Sequence, residues 1–144
     1  MRIIVQRVSK ARVVVEGQIV GEIGRGLVLF IGIKDGDKVD DLEFWADKCL
    51  NLRIFEDQDQ KMNLSLLEVR GEILAISQFT LYGDVRKGRR PNFLAAAKPE
   101  IAEPLYTQFV QILKNKGIAV ATGVFGARME VEIHNSGPVT IILE

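Results

Sequence analysis

The side chains best equipped for chemistry stand together in Ser77-Gln78-Phe79-Thr80, where two hydroxyls and an amide close an apolar run, Ile73-Leu74-Ala75-Ile76. That run has the pattern of a strand buried on both faces. A buried hydroxyl or amide without a partner costs about 1–3 kcal/mol. These groups are therefore either paired inside the core or open onto a pocket at the strand's end, and the pocket is the expectation taken here. On a regular strand Gln78 and Thr80 point one way, Ser77 and Phe79 the other. Ser77 and Thr80 share one site only if the strand bends or bulges. A hydroxyl nucleophile needs a base, and His134 is the only histidine in the chain. His134 ends a predicted strand beside a turn, a place where an exposed imidazole is the commoner outcome. If a hydrolysis occurs at this strand end, it is expected to run without a protein histidine base, with backbone N–H groups stabilising the oxyanion.

A second group is basic. Arg86, Lys87, Arg89 and Arg90, with Gly88 and Pro91 between and after them, form the densest cationic cluster. It reads either as a solvated loop or as an arm that contacts nucleic-acid phosphates beside the pocket. Over the whole chain charge is balanced, with 19 Lys plus Arg against 19 Asp plus Glu, so no global basic character marks the chain as a nucleic-acid binder. One Cys and one His are too few for a protein-ligated zinc or iron site, and no phosphate-cradling glycine motif is present. No metal and no cofactor is expected. Cys49 falls on the apolar stripe of a predicted helix and reads as a small core residue. A lone cysteine, the strand-like N-terminus and the lack of a bilayer-length apolar run lead to the expectation of a cytoplasmic protein with no membrane partner.

At 144 residues, 47% of them hydrophobic, the chain is expected to form one domain over 1–144. Residues 2–15, 19–23 and 27–33 read as strands of an antiparallel meander, turned by Glu16-Gly17-Gln18 and Gly24-Arg25-Gly26. Apolar spacing predicts a helix over 37–50 with Asp37 as its N-cap, and a second from about 99 to 116, where Pro104 is tolerable only in the first turn. Arg53-Ile54-Phe55 is a short predicted strand. Residues 64–69 and 72–81 read as a hairpin about Arg70-Gly71. Further strands are predicted at 118–122, 128–134 and 139–143, the last two joined by a turn at Asn135-Ser136-Gly137-Pro138. Many short strands and two helices without regular βαβ alternation give an α+β class: a mainly antiparallel, barrel-like or curved sheet with two principal helices packed outside.

Several separate stretches, in order, resemble the D-aminoacyl-tRNA deacylases of the bacterial and eukaryotic type. They are Val5-Gln6-Arg7-Val8, Leu52-Arg53-Ile54-Phe55, Lys61-Met62-Asn63-Leu64-Ser65, Ser77-Gln78-Phe79-Thr80-Leu81, Lys87-Gly88-x-Arg90-Pro91-x-Phe93, Gly126-Ala127-x-Met129 and Asn135-x-Gly137-Pro138-Val139-Thr140. The resemblance implies a homodimer with active sites at the subunit interface. Ser77, Gln78, Phe79 and Thr80 would line one wall of each, and a cis Gly137-Pro138 would reach in from the other subunit and leave no room for an L side chain. It further implies that Arg7 steadies the Gly-Pro loop, that Phe125 lies near the adenine end, and that Met129 belongs to the substrate-binding set. The family's commonest wording has Asp where this chain has Ser136, which removes a carboxylate but keeps a turn-forming residue.

The implied reaction is hydrolysis of the ester between a D-amino acid and the terminal adenosine of tRNA, a quality-control step of translation. A pocket that works by exclusion cannot reject glycine, so glycyl-tRNA is an expected substrate. Thr80 is either a nucleophile or a positioning group, with the tRNA's own 2′-hydroxyl and backbone donors preferred for activating water. Two other readings stand beside this one: an esterase using Thr80 with His134, and a non-catalytic dimeric RNA-binding module held by Arg86, Lys87, Arg89 and Arg90.

Overall fold

Strand β1 (Arg2–Val15) is the axis of the molecule, whose computed structural model describes residues 1–144. Its first half pairs antiparallel with β3 (Gly26–Gly32) and its second half with β2 (Gln18–Ile23), so β2 and β3 lie end to end along one edge of β1. β8 (Glu130–Leu143) runs antiparallel along the other edge. β6 (Glu72–Ser77) joins β3 in parallel, and β7 (Val120–Thr122) joins β6, also in parallel. β7 then returns against β2. A Cβ on Gly21 would stand 2.2 Å from the Thr122 carbonyl oxygen, so glycine is what lets these backbones meet and the barrel nearly close.

Alternation along the strands builds two cores. Leu27, Leu29 and Ile31 of β3 face the helices, while Val28 and Phe30 face the barrel interior. Both faces of β3 and β6 are covered, which is why both read as unbroken apolar runs. The outer core is closed by α1 (Leu42–Asn51), through Leu42, Ala46, Cys49 and Leu50, and by α3 (Pro99–Asn115), through Tyr106, Phe109 and Leu113. A fully buried Leu or Phe among these contributes about 1.5–3 kcal/mol. Cys49 is buried within this layer, and burial pushes its thiol up to about 12. No helix is long and apolar enough to cross a membrane.

The α+β class and the barrel-like sheet with helices outside stand as expected; the sheet itself is mixed, because β3, β6 and β7 run parallel. Several local expectations are corrected. The first three strands are not a simple meander, since β3 returns to β1 rather than to β2. The segment 64–69 is not a hairpin strand. β5 (Met62–Leu64) pairs with β4 (Phe55–Glu56), and Leu66–Val69 is a short helix, α2. Its start is a capping box: the Ser65 hydroxyl accepts from Glu68 N and the Glu68 carboxylate accepts from Ser65 N. Asp37 does not cap α1. Its carboxylate accepts from the Met1 ammonium and from Lys34 N, and a 3-10 turn at Val39–Asp41 leads into the helix instead. Pro104 lies inside α3, beyond the first turn, on the solvent side, where water can satisfy the carbonyl that its missing N–H leaves free. β8 is one strand and not two joined by a reversing turn.

Candidate active site

β6 stops earlier than the sequence suggests, and that stop makes the site. Gln78 N still donates to Ile31 O at 2.8 Å, but the Gln78 backbone swings to φ −141, ψ 78, and Phe79–Tyr82 forms a 3-10 turn. On the other side β7 leaves the ladder after Thr122 and passes through Gly123 to Ala127 before β8 begins. Between the diverging segments lies a largely apolar cleft of about 540 Å³, a size suited to a small-molecule moiety. Ser77, Gln78 and Phe79 line it from one side, Phe125 and Met129 from the other, and the start of α3 contributes Lys98, Pro99 and Ala102. The Phe79 ring meets Phe93 edge to face at 5.1 Å, and Phe125 rests on Tyr106 at 6.0 Å.

Thr80 is on the turn, exposed, and does not line the cleft. Its hydroxyl oxygen accepts a hydrogen bond from Gln78 Nε2. His134 lies elsewhere. It pairs across strands with Lys10 and faces a larger concavity of about 650 Å³ shared with Arg12, Glu22 and Glu132. That surface is charged, and its Arg12 and Glu132 are already an ion pair. The smaller cleft is the better candidate, because there a few polar groups converge on an apolar wall. Thr80 and His134 are not brought together.

Gly137 and Pro138 also lie outside the chain's own cleft, exposed. Between the pairs Val8↔Asn135 and Gln6↔Thr140, β1 spends one residue, Arg7, while β8 spends Ser136 to Val139. The result is a wide bulge with its tip at Gly137-Pro138, whose peptide is cis. Asn135 braces its base: its Oδ1 accepts from Val139 N at 3.2 Å and its Nδ2 donates to Thr140 Oγ1 at 3.1 Å. Arg7, only 7% exposed, lies under the bulge. Its Nε donates to Ser136 O at 3.0 Å, its Nη1 to Ile54 O at 2.7 Å, and its Nη2 stands 3.8 Å from the Glu56 carboxylate. Because Arg7 grips the main-chain carbonyl of Ser136, this contact does not depend on the side chain at that position.

The basic arm is an excursion closed at its base by reciprocal hydrogen bonds between Asp84 and Asn92, 2.7 and 3.0 Å. Arg86 is committed within it. The Asp84 carboxylate accepts from Arg86 Nε, Nη2 and N, and these bonds lower Asp84 to about 2. Lys87, Arg89 and Arg90 are exposed and in no ion pair. Sequence reasoning does not single out Lys98, Pro99 and Ala102. They open a helix whose apolar face reads simply as core, and only the tertiary fold turns that opening toward the cleft.

The overall fold is shared with a solved structure described as a probable eukaryotic D-amino acid tRNA deacylase, at TM-score 0.83 and 22% identity over 99% of this chain and 97% of that one. A solved structure of c-Myc DNA Unwinding Element Binding Protein is closer, at TM-score 0.94 and 43% identity over 100% of this chain and 98% of that one. The family model of the D-Tyr-tRNA(Tyr) deacylases matches residues 4–144, and the chain belongs to that family of hydrolases. A D-aminoacyl-tRNA deacylase from a Geobacillus species is 59% identical over 144 residues, covering 100% of this chain and 95% of its own length. One from Clostridium botulinum is 60% identical over 144 residues, 100% of this chain and 97% of its own length.

Proposed function

We propose that the chain hydrolyses the ester of D-aminoacyl-tRNA, releasing the free D-amino acid and tRNA, and that it also cleaves glycyl-tRNA. The observation that carries this reading is the cleft in which Ser77, Gln78 and Phe79 face Phe125 and Met129, in a chain of this family. The aminoacylated adenosine enters it, with Phe125 toward the adenine and Thr80 positioning the ester. Water attacks the ester carbonyl, helped by the 2′-hydroxyl of the terminal adenosine. Backbone N–H groups at the end of β6 hold the developing oxyanion, and collapse expels the ribose oxygen, which takes up a proton.

The active unit is a homodimer. Gly137-Pro138 of one subunit closes the cleft of the other, presents main-chain carbonyls to the substrate's amino group, and excludes an L side chain by contact. Arg7 holds that loop in shape. Glycine has no side chain to exclude, so its ester passes. Lys87, Arg89 and Arg90, with Arg86 set by Asp84, contact tRNA phosphates. The setting is the cytoplasm, no metal or cofactor takes part, and 1–144 is one catalytic domain.

The test is hydrolysis of D-tyrosyl-tRNA and L-tyrosyl-tRNA side by side without added metal. Loss of the D ester alone is the expected result. Loss of both refutes exclusion by Gly137-Pro138, and loss of neither, with tRNA still bound, moves the chain to the RNA-binding reading. Dilution checks the shared site: activity per chain is expected to fall once the protein is diluted into monomers, and a fully active monomer refutes it.

A further inference from the structure

We propose that Tyr106 is a positioning residue that sets the separation of the cleft's two walls; this rests on the deacylase reading of the cleft. Tyr106 does not line the cleft. It sits on the buried face of α3, 6% exposed, directly behind the fork where β6 and β7 part. Its hydroxyl donates to Ala75 O at 2.8 Å, in a buried hydrogen bond. Ala75 is the last residue of β6 in register with β7, through Ala75↔Thr122. The next residue, Ile76, begins the first wall, and Ser77 and Gln78 continue it. The Tyr106 ring meets Phe125, on the second wall, with centroids 6.0 Å apart and planes tilted by 40°.

One rigid side chain thus touches both arms of the fork, hydroxyl to one and ring to the other. A tyrosine has few rotatable bonds, so the distance between its two contacts is fixed by its own length. If the residue served only as core, phenylalanine would do as well at the ring. The hydroxyl then stands as a buried donor whose partner is the strand carrying Ser77 and Gln78, and burial of the phenol keeps it protonated, raised to about 12. Without that bond the end of β6 is held by its backbone ladders alone, and Phe125 loses a fixed backstop.

The test is Tyr106→Phe, which keeps the ring and removes only the donor. Activity is read on D-tyrosyl-tRNA at a temperature where melting curves show the variant folded. A wall that binds substrate affects KM more than the chemical step, so KM is expected to rise about fivefold, the effect of one neutral hydrogen bond, with kcat within about twofold. Combined with Phe125→Leu, the two effects on KM are expected to be less than multiplicative, because both act on one wall. A lowered melting point with unchanged KM overturns the proposal, as does a fall in kcat at constant KM. A crystal structure of Y106F beside the wild type reads the separation of Ser77 and Phe125 without any substrate, and an unchanged separation also overturns it. Failure of the wild type to cleave the D ester counts against the deacylase reading, whereas the wall separation tests Tyr106 itself.

Discussion

Gly137→Ala tests the bulge on β8 most directly. Gly137 has φ +123, a region L residues rarely enter, and forcing one there costs on the order of 1–3 kcal/mol. A Cβ at this position would also lie 2.7 Å from Arg7 Nη2 and 2.9 Å from Val139 Cγ2. Arg7 cannot simply swing aside. It is buried, and retreat lengthens its bond to Ser136 O or to Ile54 O, each a charged hydrogen bond worth about 1.5–3 kcal/mol. The low ends of the two contributions sum to roughly 2.5 kcal/mol, which lowers the ratio of native to rearranged bulge by about 60-fold. Most of that falls on the bulge rather than on the whole fold, because its tip is exposed. D-tyrosyl-tRNA hydrolysis is therefore expected to drop, by up to about 60-fold, with a melting point only a few degrees lower. Gly17→Ala is the control. Gly17 also has positive φ, 77, but nothing lies within 4 Å of its added Cβ, and it is expected to lose about 1 kcal/mol of stability and no activity. A G137A protein with wild-type turnover and an unchanged D/L ratio would refute the reasoning from Arg7.

Replacing Lys87, Arg89 and Arg90 together by Ala is expected to weaken tRNA binding and to flatten its log-log salt dependence by about 0.7–0.9 per lost phosphate contact; an unchanged slope places the arm off the RNA. His134→Ala is expected to keep deacylation within about twofold, and a hundredfold loss would restore a histidine base. Cys49 is expected to resist thiol reagents in the native protein and to react only on unfolding, as burial raises it to about 12. The same shift predicts alkaline instability. Between about pH 9 and 12 the unfolded thiol has lost its proton and the folded one has not, so the native state binds more protons and stability falls as pH rises, by about 1.4 kcal/mol per pH unit from this group. Urea melts from pH 8 to 10 check it: C49A should lack that part of the slope, and an identical slope contradicts it.

What the sequence discloses and what it withholds divide along a physical line. Local patterns were sufficient wherever one element's own burial decides its form: the alternation of β1, the two-sided burial of β3, the apolar stripe that holds Cys49, and the run of α3. They failed where the partner decides. Nothing in Phe79-Thr80-Leu81 distinguishes more strand from a 3-10 turn, because the stop depends on β7 leaving at Gly123. Ser65 and Glu68 carry a legible capping signal, yet neighbouring Leu and Val residues suggest a strand until β5 is seen to pair with β4. Asn-Ser-Gly-Pro at 135–138 has turn chemistry, and only continued pairing with β1 on both sides reveals a bulge.

The same line runs through the site. Its first wall was legible as polar groups ending a buried strand, and Phe125, Met129, Arg7, Gly137 and Pro138 were available only through resemblance, since no local rule links residues so far apart in the chain. The fold joins some of them and separates others. Phe125 and Met129 meet Ser77 across the cleft, whereas Arg7 and Ser136 meet elsewhere, under a loop whose exposed glycine and proline are not part of that cleft's lining. A buried arginine with its donors spent on two carbonyls is a costly way to shape a loop that serves nothing. In the proposed homodimer the loop's working contact is supplied by another copy of the chain, and the dilution experiment decides whether cleft and bulge are two halves of one site.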